Sequence, residues 1–164
     1  AGKQTDKKTD TELKKVEDTK ASQAGNWIES AGRSWYKHAD GSYTTNGWEQ
    51  IKGTWYYFDH AGWMQTGWVK TGGTWYYLNN SGSMATGWVK DNGSWYYLNN
   101  SGSLATGWVK ENGSWYYLDQ SGAMKTGWFT VSGKWYYAYS SGALAVNTTT
   151  PDGYTVNANG EWVG

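Results

Sequence analysis

The residues of this chain that could do chemistry in quantity are aromatic. One tryptophan series runs Trp48, Trp68, Trp88, Trp108, Trp128, and a second runs Trp55, Trp75, Trp95, Trp115, Trp135, each with a period of 20 residues. Tyr57, Tyr77, Tyr97, Tyr117 and Tyr137 follow two positions after the second series. Rings can simply fill a core. A buried indole, however, needs a partner for its N–H, so two Trp and one Tyr per copy are an inefficient filling and an efficient lining for a box. Such a box has two common guests. One is a quaternary ammonium, drawn to the negative ring faces without any formal charge in the wall. The other is a sugar ring, which stacks its C–H face and also wants carboxylate and amide partners. Single-stranded nucleic acid stacks on aromatic platforms too, but it needs a basic groove. One lysine per copy (Lys70, Lys90, Lys110), offset by acids elsewhere, does not make one.

Catalytic chemistry finds little support. The histidines, His38 and His60, sit beside turns and read as ordinary loop residues. No serine lies in a nucleophile elbow. Asp40, Glu49, Asp59, Asp91, Glu111 and Asp119 fall in turns or at strand ends. Thr71 stands where later copies have Asp91 and Glu111, so these carboxylates read as solvated groups rather than a catalytic pair. There are 0 cysteines, and no phosphate loop or metal-ligand cluster is recognisable. The expectation is no catalytic residue, no cofactor and no metal. With 14 basic and 14 acidic residues the chain carries no net charge, which argues against nucleic acid or an anionic membrane as partner. No apolar run approaches the roughly 18 residues that would insert in a bilayer. The chain starts without Met, as a processed form or a fragment would.

The elements that must hold the rings follow from one copy. In Trp88–Leu98, WVKDNGSWYYL, two β-branched and aromatic runs flank Asn92-Gly93, a strong hairpin signal because a type I′ turn needs positive φ at both central positions. That turn puts Trp88 opposite Tyr97, Val89 opposite Tyr96, Lys90 opposite Trp95 and Asp91 opposite Ser94. Trp88, Lys90, Trp95 and Tyr97 then share one face, and Val89, Tyr96 and Leu98 the other. Tyr56, Tyr76, Tyr96, Tyr116 and Tyr136, on the second face, read as core. A lone hairpin is marginal in water, and stacked copies supply the missing neighbours. A second turn follows each hairpin, as at Ser101-Gly102, and two residues on comes Met64, Met84, Leu104, Met124 or Leu144.

The ends differ from the array. Residues 1–24 hold 6 Lys and 5 acidic residues without an aromatic, and read as a solvated, disordered tail or linker. Residues 25–45 are a divergent first copy, with Trp27 and Trp35 spaced by 8 residues rather than 7. Residues 46–145 are five regular copies. Residues 146–164 leave the pattern; Tyr154–Val156 and Glu161–Val163 suggest a last short hairpin that caps the array.

The pattern T-G-W-V-K-x-x-G-x-W-Y-Y-L-x-x-x-G-x-M, clearest at Thr86–Leu104, resembles the choline-binding repeat of pneumococcal surface proteins and autolysins. The resemblance covers the five regular copies and the first divergent one, and Asp152–Val163 resembles the C-terminus of several such proteins. It implies an all-β solenoid of ~20-residue β-hairpin repeats, wound into a left-handed superhelix. It also implies non-catalytic binding of choline or phosphocholine on teichoic and lipoteichoic acids, holding the protein outside the cell on the bacterial wall. In the family each site takes both Trp from one repeat and the last Tyr of WYY from the next, closed by the connector Met or Leu. Carried over, the sites are Trp48, Trp55, Met64 and Tyr77; Trp68, Trp75, Met84 and Tyr97; Trp88, Trp95, Leu104 and Tyr117; and Trp108, Trp115, Met124 and Tyr137. Trp27, Trp35, Tyr43 and Tyr57 would form a weaker site if the longer spacing does not misplace Trp27. Trp128, Trp135 and Leu144 lack a downstream WYY and should be incomplete or structural. Two other readings stay open: a glucan-binding repeat domain, or a solenoid whose main task is to bind a host or bacterial protein of unknown identity.

Overall fold

Asn92 and Gly93 adopt φ of 53° and 86°, the left-handed backbone that a type I′ turn demands. The turn sets the pairing of its strands: Trp88 lies opposite Tyr97, Val89 opposite Tyr96, Lys90 opposite Trp95 and Asp91 opposite Ser94. This is the register that the sequence predicts. Lys52 and Ser132 take the same turn position with φ of 52° and 50°, conformations less natural to them than to Asn.

The computed structural model describes residues 15–16 and 24–164. Every named element among them is a strand. β1 is Lys15–Val16. Six hairpins follow: β2 (Asn26–Ser30) with β3 (Arg33–Lys37), β4 (Gly47–Ile51) with β5 (Thr54–Phe58), β6 (Gly67–Thr71) with β7 (Thr74–Leu78), β8 (Gly87–Asp91) with β9 (Ser94–Leu98), β10 (Gly107–Glu111) with β11 (Ser114–Leu118), and β12 (Gly127–Val131) with β13 (Lys134–Ala138). β14 (Thr148–Thr149) and β15 (Thr155–Val156) end the chain. The fold class is thus all-β and built of repeated hairpins.

The residues group into two compact units. The first takes the described residues up to Thr86 together with Asn100–Ser103, and the second takes Gly87–Asn99 and Leu104–Gly164. Within each, a connector docks on the hairpin of the preceding copy. Met84 donates its backbone N–H to the Trp55 carbonyl at 2.9 Å in the first unit. In the second, Met124 donates to Trp95 at 2.8 Å and Leu144 to Trp115 at 2.9 Å. The connector glycine completes the stacking: Gly122 has φ of 89°, and a Cβ there would lie 2.8 Å from Leu104 Cδ1. Side chains on the inner faces fill the space between, such as Trp48, Tyr76 and Leu78 in the first unit.

Both ends depart from the expectation. The solvated tail read at residues 1–24 lies outside the described residues except at Lys15–Val16 and Ala24. Lys15 and Val16 pair in parallel with Trp48 and Glu49, giving a three-stranded sheet with β4 and β5. A hairpin edge offers unpaired N–H and C=O groups that a passing strand can satisfy. In the divergent first copy, Trp27 lies opposite Tyr36 and Ile28 opposite Trp35. Trp27 therefore keeps the place that Trp48 has in the next hairpin. The extra residue moves Trp35, not Trp27, to the other face. At the C-terminus, Thr148 pairs with Val156 and Thr149 with Thr155, while Val156 also bridges to Trp162. The cap thus gains a strand from Thr148–Thr149 beyond the hairpin read in the sequence.

Candidate functional site

The ring geometry repeats. Each Trp of the first series meets the last Tyr of its own hairpin edge-on: Trp48–Tyr57 at 5.1 Å, Trp68–Tyr77 at 4.9 Å, Trp88–Tyr97 at 5.0 Å and Trp108–Tyr117 at 4.8 Å between centroids. The second Trp stands at a right angle to the first, as in Trp88–Trp95 at 6.4 Å and 88° or Trp108–Trp115 at 6.5 Å and 89°. The ring that comes from the next copy is the middle Tyr of WYY. Trp48 meets Tyr76 at 4.9 Å, Trp88 meets Tyr116 at 5.0 Å and Trp108 meets Tyr136 at 5.0 Å.

The rings packed against Trp48, Trp88 and Trp108 thus differ from the set that the resemblance implies. Within each unit hairpins stack front to back, so a Trp face meets the opposite face of the next hairpin, where the middle Tyr stands. Tyr77, Tyr97 and Tyr117 remain on their own hairpins beside Trp68, Trp88 and Trp108, and Tyr137 stays with Trp128 at 5.2 Å. The middle tyrosines, read as core, do pack: Tyr76 is buried. They are cleft walls at the same time. The connector residue also comes from the next copy. Trp48 and Trp55 are joined by Met84, while Met64 packs against Tyr36, Ile51 and Phe58. Trp88 and Trp95 are joined by Met124, and Trp108 and Trp115 by Leu144; Leu104 lies under Gly122.

The same grouping recurs within the two units, with a measurable cleft in each. In the first unit, Trp48, Trp55, Tyr76 and Met84, with Asn100 and Ser101, line a space of about 170 Å³. In the second, Trp88, Trp95, Tyr116 and Met124 come together in the same order. Trp108, Trp115, Tyr136 and Leu144 wall about 340 Å³. Among the described residues, no charged side chain lines the 170 and 340 Å³ clefts. The ring faces already attract cations: Lys90 Nζ and Lys110 Nζ each lie 5.8 Å from the centroid of Trp95 and Trp115. The Trp48 indole N–H is buried and meets no acceptor among the described residues. Tyr97 is anchored by donating its hydroxyl to Glu111 at 2.8 Å; that bond, then burial and the Glu111 charge, raise the phenol pKa.

The set Trp27, Trp35, Tyr43 and Tyr57 is not brought together. Trp27 meets Tyr36 at 5.1 Å and Tyr56 at 4.9 Å, Trp35 meets Tyr43 at 5.1 Å, and Tyr57 belongs to Trp48. The last hairpin is met by residues of the cap. Trp128, Trp135, Asp152, Tyr154 and Trp162 wall a space of about 450 Å³. Trp162 donates its backbone N–H to the Trp135 carbonyl at 2.9 Å, as Leu144 does to Trp115. The cap thus supplies a ring where the array has a connector Met or Leu. The sequence signal for this was Tyr154 and Trp162, both read only as cap.

One polar cluster was missed. Glu49, read as a solvated carboxylate, is fully buried in β4. Both its oxygens contact His38 Nε2, at 2.9 and 2.8 Å, and Thr44 Oγ1 donates to Oε1 at 2.7 Å. His38 is accordingly no exposed loop residue. The clue lay in the pattern: Glu49 stands where later copies have Val69, Val89 and Val109 on an inward face. His38 Nδ1 also lies 3.0 Å from Ser42 Oγ, so Ser42, His38 and Glu49 stand in the order of a nucleophile, a base and its orienting acid. Ser42 Oγ, however, donates its proton to Asp40 at 2.6 Å. Its proton is committed to a carboxylate, and the cluster is structural.

That bond and the Ser42 backbone N–H hold Asp40 below the ordinary carboxyl value of 3.8. At Asp119 burial pushes the pKa up, but hydrogen bonds from Ser121 and Ala123 outweigh it, and the net direction is down. A group whose folded pKa is depressed lends stability that is present above its unfolded pKa and lost as pH falls through the folded one. Thermal midpoints should therefore hold level from neutral pH down to about 5 and fall below about 4. A midpoint unchanged down to pH 2.5 would show that these turn carboxylates carry no stability.

A stack of hairpins whose facing rings wall small, uncharged clefts defines a repeat-built binding module. The chain belongs to the choline-binding repeat family, whose pattern matches residues 45–86, 66–106, 85–125 and 105–148. Modules of this family bind and do not catalyse. Choline binding protein F from Streptococcus pneumoniae, solved in the presence of a peptidoglycan analogue (tetrasaccharide-pentapeptide), is 52% identical, with a TM-score of 0.79 over 86% of this chain and 47% of that one. CbpJ from Streptococcus pneumoniae TIGR4 is 53% identical, with a TM-score of 0.78 over 84% of this chain and 47% of that one. The multimodular pneumococcal cell wall endolysin from phage Cp-1, solved with choline, is 39% identical, with a TM-score of 0.58 over 86% and 43%. The chain spans about half the length of the first two structures. Among curated proteins none matches.

Proposed function

We propose that this chain binds choline groups displayed on teichoic and lipoteichoic acids, through the aromatic clefts between successive hairpins, and so attaches to the outside of the bacterial cell wall. The observation that carries this reading is the repeated set of two Trp, one Tyr from the next hairpin and one Met or Leu, with no charged residue among the described ones that line the 170 and 340 Å³ clefts. A trimethylammonium group spreads its charge over methyl hydrogens and cannot donate a strong hydrogen bond. Ring faces and a thioether or isobutyl group suit it better than an acceptor would. A sugar would want carboxylate and amide partners; among the described residues the 340 Å³ cleft offers Asn159 and the 170 Å³ cleft Asn100, and neither offers a carboxylate. Each cleft is expected to bind weakly, and several clefts on one polymer act together through high local concentration. The reading assigns binding alone to these residues.

The test is a choline titration followed by tryptophan fluorescence, with dextran as control. A saturable change with millimolar choline and none with dextran is expected, the concentration range suiting rings that each contribute about 1–2 kcal/mol. A saturable response to dextran that choline does not compete would replace this reading with the glucan-binding one.

A further inference from the structure

The cap closes the last cleft with different chemistry from the repeats. Asp152 lines it beside Trp128, Trp135, Tyr154 and Trp162. Thr150 Oγ1 donates to Asp152 Oδ1 at 2.6 Å, and the Trp128 indole N–H donates to Oδ2 at 2.8 Å. These two bonds, Thr150 first, hold the carboxyl below its ordinary value, so it is ionised at neutral pH. A carboxylate has about four acceptor sites, more than these two donors use. The bond to Thr150 alone would mark an ordinary turn. The bond to Trp128 spans 24 residues, and it turns the carboxylate toward the ring wall of the last hairpin.

We propose that this terminal cleft is a cation site of a second kind, which takes an aminoalkyl group bearing an N–H in preference to a quaternary ammonium. The inference rests on the aromatic-cleft reading above and deepens it. A quaternary ammonium brings no donor and gains nothing directional from Asp152. A protonated amine is strongly hydrated through its N–H groups, and an uncharged ring box does not replace that hydration. A ring box with one carboxylate does: the rings take the carbon-bound hydrogens and Asp152 takes the N–H as a charge-assisted bond. The same carboxylate disfavours a phosphate held close to the ammonium, as in phosphocholine, by like-charge repulsion. The cleft is also larger than the 340 and 170 Å³ clefts upstream, at about 450 Å³, leaving room for the chain that carries the amine.

The experiment follows the indole N–H resonances of the full ¹⁵N-labelled chain at pH 7. Trp128 reports the terminal cleft, and Trp88 and Trp108 report clefts upstream. Choline and N,N-dimethylethanolamine, which differ by one methyl in place of an N–H, are titrated separately. Trp128 should respond at roughly fivefold lower amine than choline, the size expected of one partly exposed charge-assisted hydrogen bond. Trp88 and Trp108 should show no such preference. Asp152→Asn should bring the ratio at Trp128 to the upstream value, with the upstream resonances reporting in the same spectra that the variant is folded. Trp162→Leu should weaken amine binding at Trp128 only. Equal ratios at all three indoles, silence of Trp128 toward both ligands, or a preference that persists in Asp152→Asn would overturn the inference, and choline responses at Trp88 and Trp108 would leave the proposed function standing. Loss of those upstream choline responses, with the amine response at Trp128 intact, would overturn the proposed function and keep the site.

Discussion

Tyr116→Leu should weaken choline binding at the cleft of Trp88 and Trp95 by about five- to thirtyfold, roughly the 1–2 kcal/mol of one well-placed ring. Tyr117→Leu should leave that cleft nearly unchanged. The two tyrosines are adjacent in sequence, yet alternation along β11 sends them to opposite faces. Tyr116 stands 5.0 Å from Trp88 across the stack, whereas Tyr117 stands 4.8 Å from Trp108 on its own hairpin. The Trp88 indole resonance, titrated with choline in each variant, separates them. If Tyr117→Leu were the damaging change, the front-to-back stacking of rings would be the wrong description of the cleft, and the family-derived choice of the last Tyr would be right. Met124→Ala should give a smaller loss at the same resonance, because it removes one flexible wall rather than a ring face.

Breaking the contact between His38 and Glu49 should cost the first unit about 1–3 kcal/mol, the usual range when a buried polar group loses a hydrogen-bond partner. His38→Ala leaves the Glu49 carboxylate at 0% exposure with Thr44 as a remaining donor. Urea unfolding, together with amide exchange in β4 and β5, measures the loss. The double variant His38→Leu with Glu49→Val should recover most of it. Val69, Val89 and Val109 occupy the equivalent place in later hairpins, and apolar replacement of a buried pair is often neutral or stabilising. Should the double variant remain as unstable as His38→Ala, the polar network would be setting the packing of these hairpins and not merely being tolerated by it. Choline responses at Trp88 and Trp108 serve as an internal control, since both lie in the second unit.

The sequence by itself determined the period, the turn and the register. Asn92-Gly93 restricts its own backbone to one turn type, the turn decides which residues face each other, and alternation then assigns every side chain to a face. All of these are local consequences of backbone sterics, so they were legible from a few residues at a time. The uncharged aromatic character of the clefts was legible for the same reason. Which residues of different copies meet was decided only by tertiary structure. Within each unit, hairpins that stack front to back bring the middle Tyr and the connector of the next copy to Trp48, Trp88 and Trp108, and no property of one hairpin distinguishes that from the alternative in which the last Tyr crosses over. The same holds where the pattern breaks. Glu49 reads as solvated until the face it shares with Tyr56 is buried and His38 is brought to it. Asp152 and Trp162 read as parts of a cap until the cap folds back on Trp128 and Trp135. Contacts between distant residues depend on how whole faces pack, and a face has no partner until the chain has stacked.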